Sequence, residues 1–174
     1  MASRREEWLV VDGYNVIGLQ SNIHRKERRL EEQRNQLISQ LSEYQAMTGR
    51  KVYVVFDAHQ TPGARVQKVQ EKVEVVFTCK DETADEYIEQ FVRNRKNPHR
   101  RIYVATSDYL EQRMVFGQGA YRISSRELLE QIRSARVQLG ENLRTQESTS
   151  PKNKLGDYLS LNLQKEFEKL RRKK

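Results

Sequence analysis

The chain has 174 residues, the size of one domain, and is long enough to bury a core unaided. Lysine and arginine number 32 against 24 acidic residues, giving a formal charge of +8 and a pI near 9.6, which favours a polyanionic partner. No apolar run approaches the roughly 18–20 residues of a bilayer span, and the single Cys79 leaves no intramolecular disulfide or multi-cysteine zinc site, so a transmembrane helix, a secretory h-region and a disulfide scaffold are excluded.

Trp8–Val11 is the first β-type run, and Asp12 follows it directly. Leu30, Leu37, Leu41 and Tyr44 then recur at spacings of three, four or seven, which places an apolar stripe on a helix ending near Gly49. Val52–Phe56 is the second strand, followed by Asp57. The segment Ala58 to Lys72 carries Arg65, Lys68 and Lys72 beside Pro62 and Gly63 and reads as a mobile basic loop adjoining the strand end. Val73–Thr78 is the third strand. Thr83 as N-cap with Glu86 three residues on forms a capping box, opening a helix that turns Ile88, Phe91 and Val92 to the core and stops before Pro98.

Ile102–Thr106 is the fourth strand, with Asp108 just beyond it. Thr106 or Ser107 caps a short helix carrying Leu110, Met114 and Val115, closed by Gly117-Gln118-Gly119. Tyr121–Ile123 is a fifth, weaker strand. Ser124-Ser125-Arg126-Glu127 repeats the capping-box pattern before Leu128, Leu129 and Ile132. Past Gly140 the pattern changes: Thr145 to Pro151 reads as a polar linker, and Tyr158 to Leu170 as a short amphipathic helix with Leu159, Leu163 and Phe167 on one side. Residues 144–174 hold nine basic and four acidic side chains. The alternation of strands and helices predicts an α/β fold with a mainly parallel sheet over residues 1–140 and a basic tail over 141–174.

The acids fall where such a fold gathers ligands. Asp12, Asp57 and Asp108 each follow a strand, and Asp85 lies in the first turn of the helix after Val73–Thr78, so four carboxylates from distant positions converge on one rim. Clustered carboxylates repel one another, and a divalent cation relieves them; an all-oxygen site suits Mg2+ or Mn2+. Each Asp taken singly also fits a turn or helix cap. A basic protein with an acidic pocket fits metal-dependent phosphodiester hydrolysis. The Asp-x-Asp pattern is absent, which argues against a phosphomonoesterase, and so are the P-loop and the G-x-G-x-x-G fingerprint, which argues against a nucleotide cofactor. His24, His59 and His99 are scattered and form no histidine-based RNase site.

Val10-Val11-Asp12-Gly13-Tyr14-Asn15-Val16-Ile17, Val55-Phe56-Asp57-Ala58-His59, Phe77-Thr78, Glu82-Thr83-Ala84-Asp85-Glu86, Ala105-Thr106-Ser107-Asp108-Tyr109, Glu111-Gln112 and Phe116-Gly117-Gln118-Gly119-Ala120 closely resemble, in order, the YacP-type NYN domain of the PIN-like nuclease superfamily. The resemblance runs from about Leu9 to Ile132. It implies a three-layer α/β/α PIN-like domain and a metal-dependent endoribonuclease that acts on messenger RNA in association with ribosomes, leaving 5′-phosphate and 3′-hydroxyl ends. Carried over by position, Asp12, Asp85 and Asp108 are the metal-binding and catalytic acids. Asn15 orients Asp12 or contacts the site, Ser107 lies behind the acids, and Asp57 and Glu111 are further acidic candidates.

For RNA contact, Arg65, Lys68 and Lys72 come from the basic segment, and Tyr14 and Tyr109 flank motif acids where aromatic rings can stack on bases. A buried tyrosine with a bonded hydroxyl is the alternative for both. Arg25 to Arg34 and the terminal basic cluster fit either solvated faces or contacts with ribosomal RNA phosphates. The competing functions are a non-catalytic RNA- or ribosome-binding module and a DNA-directed nuclease. Met1 to Glu7 is too short and acidic for a transit peptide, so cytoplasm is the expectation, with an organelle holding bacterial-type ribosomes as the alternative. Oligomeric state is not legible.

Overall fold

Apolar runs buried on both faces build the centre of the protein. In the computed structural model, which describes residues 5–23, 30–57, 66–107 and 119–149, the strands are β1 (Glu6–Asp12), β2 (Lys51–Phe56), β3 (Val66–Gln70), β4 (Val73–Phe77), β5 (Arg100–Ala105) and β6 (Tyr121–Ile123). They form one sheet in the order β3-β4-β2-β1-β5-β6, parallel except for β3. The helices among the described residues are α1 (Gly13–Ile23), α2 (Leu30–Thr48), α3 (Ala84–Arg95) and α4 (Ser125–Thr149). The chain divides into two compact units, Met1–Val137 and Gln138–Lys174, and the sheet lies wholly in the first.

The strand periodicity of two splits the core between the faces. Leu9, Val11, Val52, Val54 and Val75 meet Val16 and Ile17 of α1, Leu37 and Leu41 of α2, and Leu128 and Ile132 of α4 on one side. Trp8, Val10, Tyr53, Val55 and Val104 meet Ile88, Phe91 and Val92 of α3 on the other. The result is the three-layer α/β/α arrangement. Both capping boxes form: the Thr83 hydroxyl accepts from the Glu86 amide, and the Glu86 carboxylate accepts from the Thr83 amide. Ser124 and Glu127 do the same at α4, and these bonds hold the Glu127 carboxyl below the ordinary carboxylate range.

Two expectations are corrected and one feature is added. Residues 66–72 are not a loop; they form β3 and a two-residue turn whose Glu71 and Lys72 take left-handed backbone (φ 49° and 70°), braced from α2 by Ser42 on the Glu71 carbonyl and Gln45 on the Lys72 carbonyl. That turn puts Lys72 at the start of β4, roughly 16 Å of strand from Phe77, so it does not adjoin the acidic rim. The polar stretch beginning at Thr145 is helical through Thr149, because Gly140 is tolerated in a helix and the next proline comes only at Pro151. The added feature is α1, which starts directly from β1 with no intervening loop. The short helix expected after Ser107 and the one over Tyr158 to Leu170 lie outside the described residues.

Candidate active site

The crossover from β1 to β2 runs through α1 and α2 on one face of the sheet, whereas the crossover from β4 to β5 runs through α3 on the other. Strand order therefore reverses between β1 and β5, and the carboxyl ends of these two strands are where an open α/β sheet usually forms its ligand crevice. Asp12 closes β1 beside that crevice. It pairs in register with Val55, two residues before Asp57, while Val11 pairs with Ala105, just before Thr106 and Ser107.

Gly13 makes the turn from β1 into α1 possible. A Cβ there would fall inside the Phe56 ring, 2.5 Å from Cδ1 and 2.9 Å from Cζ, so only glycine lets the helix begin immediately after Asp12. Helical amides then face the carboxylate: the Asn15 N–H donates to Asp12 Oδ1 at 3.2 Å, and the Tyr14 amide also stabilises the charge. Burial nevertheless dominates. It pushes the Asp12 carboxyl up to about 6, the charges of Asp85 and Asp57 push the same way, and the Asn15 and Tyr14 amides offset only part.

Asn15 ties the crevice together. Its Oδ1 accepts the Ser107 amide at 3.0 Å and the Ser125 hydroxyl at 2.7 Å, joining the ends of β1 and β5 to the start of α4. Ser125 is fully buried. Asn15 therefore meets Asp12 through its backbone N–H and Ser107 and Ser125 through its side chain, and Ser107 takes part through its backbone. Ser125 was not singled out from sequence; its signal is the doubled serine, in which Ser124 caps and Ser125 turns inward.

Asp85 is exposed in the first turn of α3, where the helix dipole favours an acid, and Thr83 already serves as cap, so Asp85 is not needed for that purpose. Its charge reaches Asp12. Tyr14 is half-buried against Phe56, with ring centroids 5.2 Å apart, and its hydroxyl accepts from Arg34 at 2.9 Å. Phe56 in turn stacks on Phe77 at 5.5 Å. Lys68 is exposed on β3. Asp108, Tyr109, Glu111 and Arg65 lie outside the described residues, and among the described residues no three His, Cys, Asp or Glu side chains group tightly enough to enclose a metal ion. The carboxylates of Asp12, Asp57 and Asp85 offer oxygen alone, the donor type that suits a hard divalent cation, but they do not by themselves close into a cage.

A family model for the YacP-like NYN domain matches residues 9–172, well beyond the Ile132 limit of the motif blocks. The chain is 44% identical over 165 residues to a relative described as the uncharacterized protein YacP of Bacillus subtilis (strain 168), covering 94% of this chain and 96% of the relative. Its fold matches the crystal structure of Rae1 (YacP) from Bacillus subtilis with a TM-score of 0.69 and 43% identity, covering 95% of each chain. A mutant form of Rae1 (YacP) gives a TM-score of 0.71 and 42% identity over 83% of this chain and 86% of that one. Sequence, fold and the order of the motif blocks agree: the chain belongs to the YacP-like NYN domain family, a nuclease-type family.

Proposed function

We propose that the protein is a divalent-metal-dependent endoribonuclease that cuts messenger RNA in association with translating ribosomes. The observation that carries the reading is Asp12: it stands at the point where strand order reverses, and burial together with the charges of Asp85 and Asp57 raises its carboxyl to about 6. A carboxylate so placed resists ionising alone and ionises readily beside a bound cation.

Asp12, Asp85 and Asp108 are the metal-binding acids, with Asp57 and Glu111 available nearby in the sequence motifs. Mg2+ or Mn2+ held there supplies Lewis acidity that activates water and stabilises the leaving oxygen. Asn15 fixes the Asp12 carboxylate through its amide and locks the crevice through Ser107 and Ser125. The products are 5′-phosphate and 3′-hydroxyl ends. The formal charge of +8 supports an RNA substrate and a ribosomal RNA surface, with Arg65, Lys68 and Tyr109 as contacts.

The test is cleavage of a defined messenger RNA, with and without translating ribosomes, in Mg2+, Mn2+ and EDTA, using wild type beside Asp12→Asn. Metal-dependent cuts missing from the variant support the nuclease, and their restriction to translating ribosomes supports docking. Binding without any cut supports a non-catalytic RNA- or ribosome-binding module instead.

A further inference from the structure

We infer that Arg34 and Lys68, held over the ring of Phe77, form a phosphate-binding subsite for single-stranded RNA beside the acidic rim; this rests on the nuclease reading above. Arg34 comes from α2 and Lys68 from β3, yet both cations lie 5.6 Å from the Phe77 ring centroid, within cation–π range. The register explains the convergence. Val66 pairs with Phe77 and Lys68 with Val75, so Lys68 projects on the same sheet face as Phe77, the face that α2 covers. Phe77 is half-buried and stacked on Phe56, and Arg34 is anchored through one nitrogen to the Tyr14 hydroxyl, which leaves the rest of its five donors unused by that bond.

Several other cations are neutralised by carboxylates. Arg50, Lys51, Arg93, Arg100, Arg101 and Arg136 each pair with a glutamate. Among the described residues no carboxylate pairs with Arg34 or Lys68, and the Phe77 ring orients both. Phe77 closes β4, whose neighbour β2 ends at Phe56 just before Asp57, and Asp12 closes the next strand. Two strand spacings, roughly 10 Å, separate β4 from β1. Lys68 stands one strand further out on β3, so the cations lie on the same side of the sheet order as Asp57, within reach of an RNA strand that crosses the rim. Phosphate contacts of this kind set affinity and register and carry no base preference.

The experiment uses the full chain in the Asp12→Asn background, with a short fluorescein-labelled oligouridylate and anisotropy across a salt series. Arg34→Gln and Lys68→Gln should each lower the slope of log K against log salt by about 0.7 and weaken binding about fivefold at 0.1 M salt. Phe77→Leu removes no charge but should weaken binding in the same direction, because the ring positions both cations. Lys51→Gln, at the start of β2, should change neither quantity. With Asp12 restored, Arg34→Gln and Lys68→Gln should raise KM and leave kcat. Unchanged affinity and slope in both Gln variants overturns the subsite even where wild type cuts RNA in Mg2+ or Mn2+. Loss of affinity in both, in a protein that never cuts, keeps the subsite and removes the nuclease.

Discussion

Asp12→Asn should stabilise the fold while abolishing cleavage. An ordinary aspartate titrates near 3.8, whereas Asp12 is raised to about 6, so ionising it in the folded protein costs about 3 kcal/mol at neutral pH. The sign follows from where the proton is held. Below about pH 4 the carboxyl is protonated folded or unfolded and costs nothing; as the pH rises toward 6 the unfolded chain ionises first and stability falls, reaching its full loss above 6. Asparagine is isosteric and its oxygen still accepts the Asn15 amide, so the variant keeps the geometry without the charge. At about 2–4 °C per kcal/mol for a chain of this size, the variant should melt roughly 6–12 °C above wild type near neutral pH in EDTA. Circular-dichroism melts across the pH range would show the gap closing toward about pH 4. Mn2+ should then raise the wild-type melting temperature more than that of the variant. Equal melting at neutral pH, or a gap independent of pH, would refute burial as the origin of the raised carboxyl.

Gly13→Ala forces the Phe56 ring aside and should cost about 1–3 kcal/mol by urea unfolding, with cleavage falling further than stability because Asp12 is displaced. Asn15→Ala leaves the buried Ser125 hydroxyl and the Ser107 amide without their acceptor; a loss of about 1–3 kcal/mol is expected in the same assay, and kcat should drop in a single-turnover cleavage assay. Tyr44→Phe removes the hydroxyl that joins Arg50 to Gln131 at 2.8 Å each, which should lower stability by about 1 kcal/mol and leave RNA cleavage unchanged. Lys72→Gly relieves left-handed backbone at φ 70° and should raise stability by about 1 kcal/mol in urea with cleavage again unchanged.

The parallel strands and the places of Asp12 and Asp57 were legible because each depends on short-range pattern. Continuous apolar runs mark strands buried on both faces, and Thr83/Glu86 and Ser124/Glu127 mark helix starts within four residues. Once the strands are placed, Asp12 and Asp57 fall at their carboxyl ends without further information. What escaped depends on contacts that sequence spacing does not encode. The helix α1 has no capping residue, because the strand feeds it directly and Gly13 yields to a ring 43 positions away. The hairpin joining β3 to β4 turns through Glu71-Lys72, which carries none of the glycine or asparagine that signals such a turn, and α2 braces it instead.

Asn15 shows the same division within the site. Its place in the first motif singles it out, but its function lies in bonds to Ser107 and to Ser125, 92 and 110 residues away. Those bonds fasten both sides of the crevice at the strand-order reversal, where Asp12 bears the cost of its own burial. A carboxylate destabilised by its surroundings needs a rigid frame, since any loosening would let it swing to solvent and ionise freely. Asn15→Ala should therefore bring the Asp12 carboxyl back toward the ordinary range, and carbon-detected NMR titration of Asp12 in that variant would show it; a midpoint still near 6 would mean that burial alone, without the Asn15 frame, sets the charge of the site.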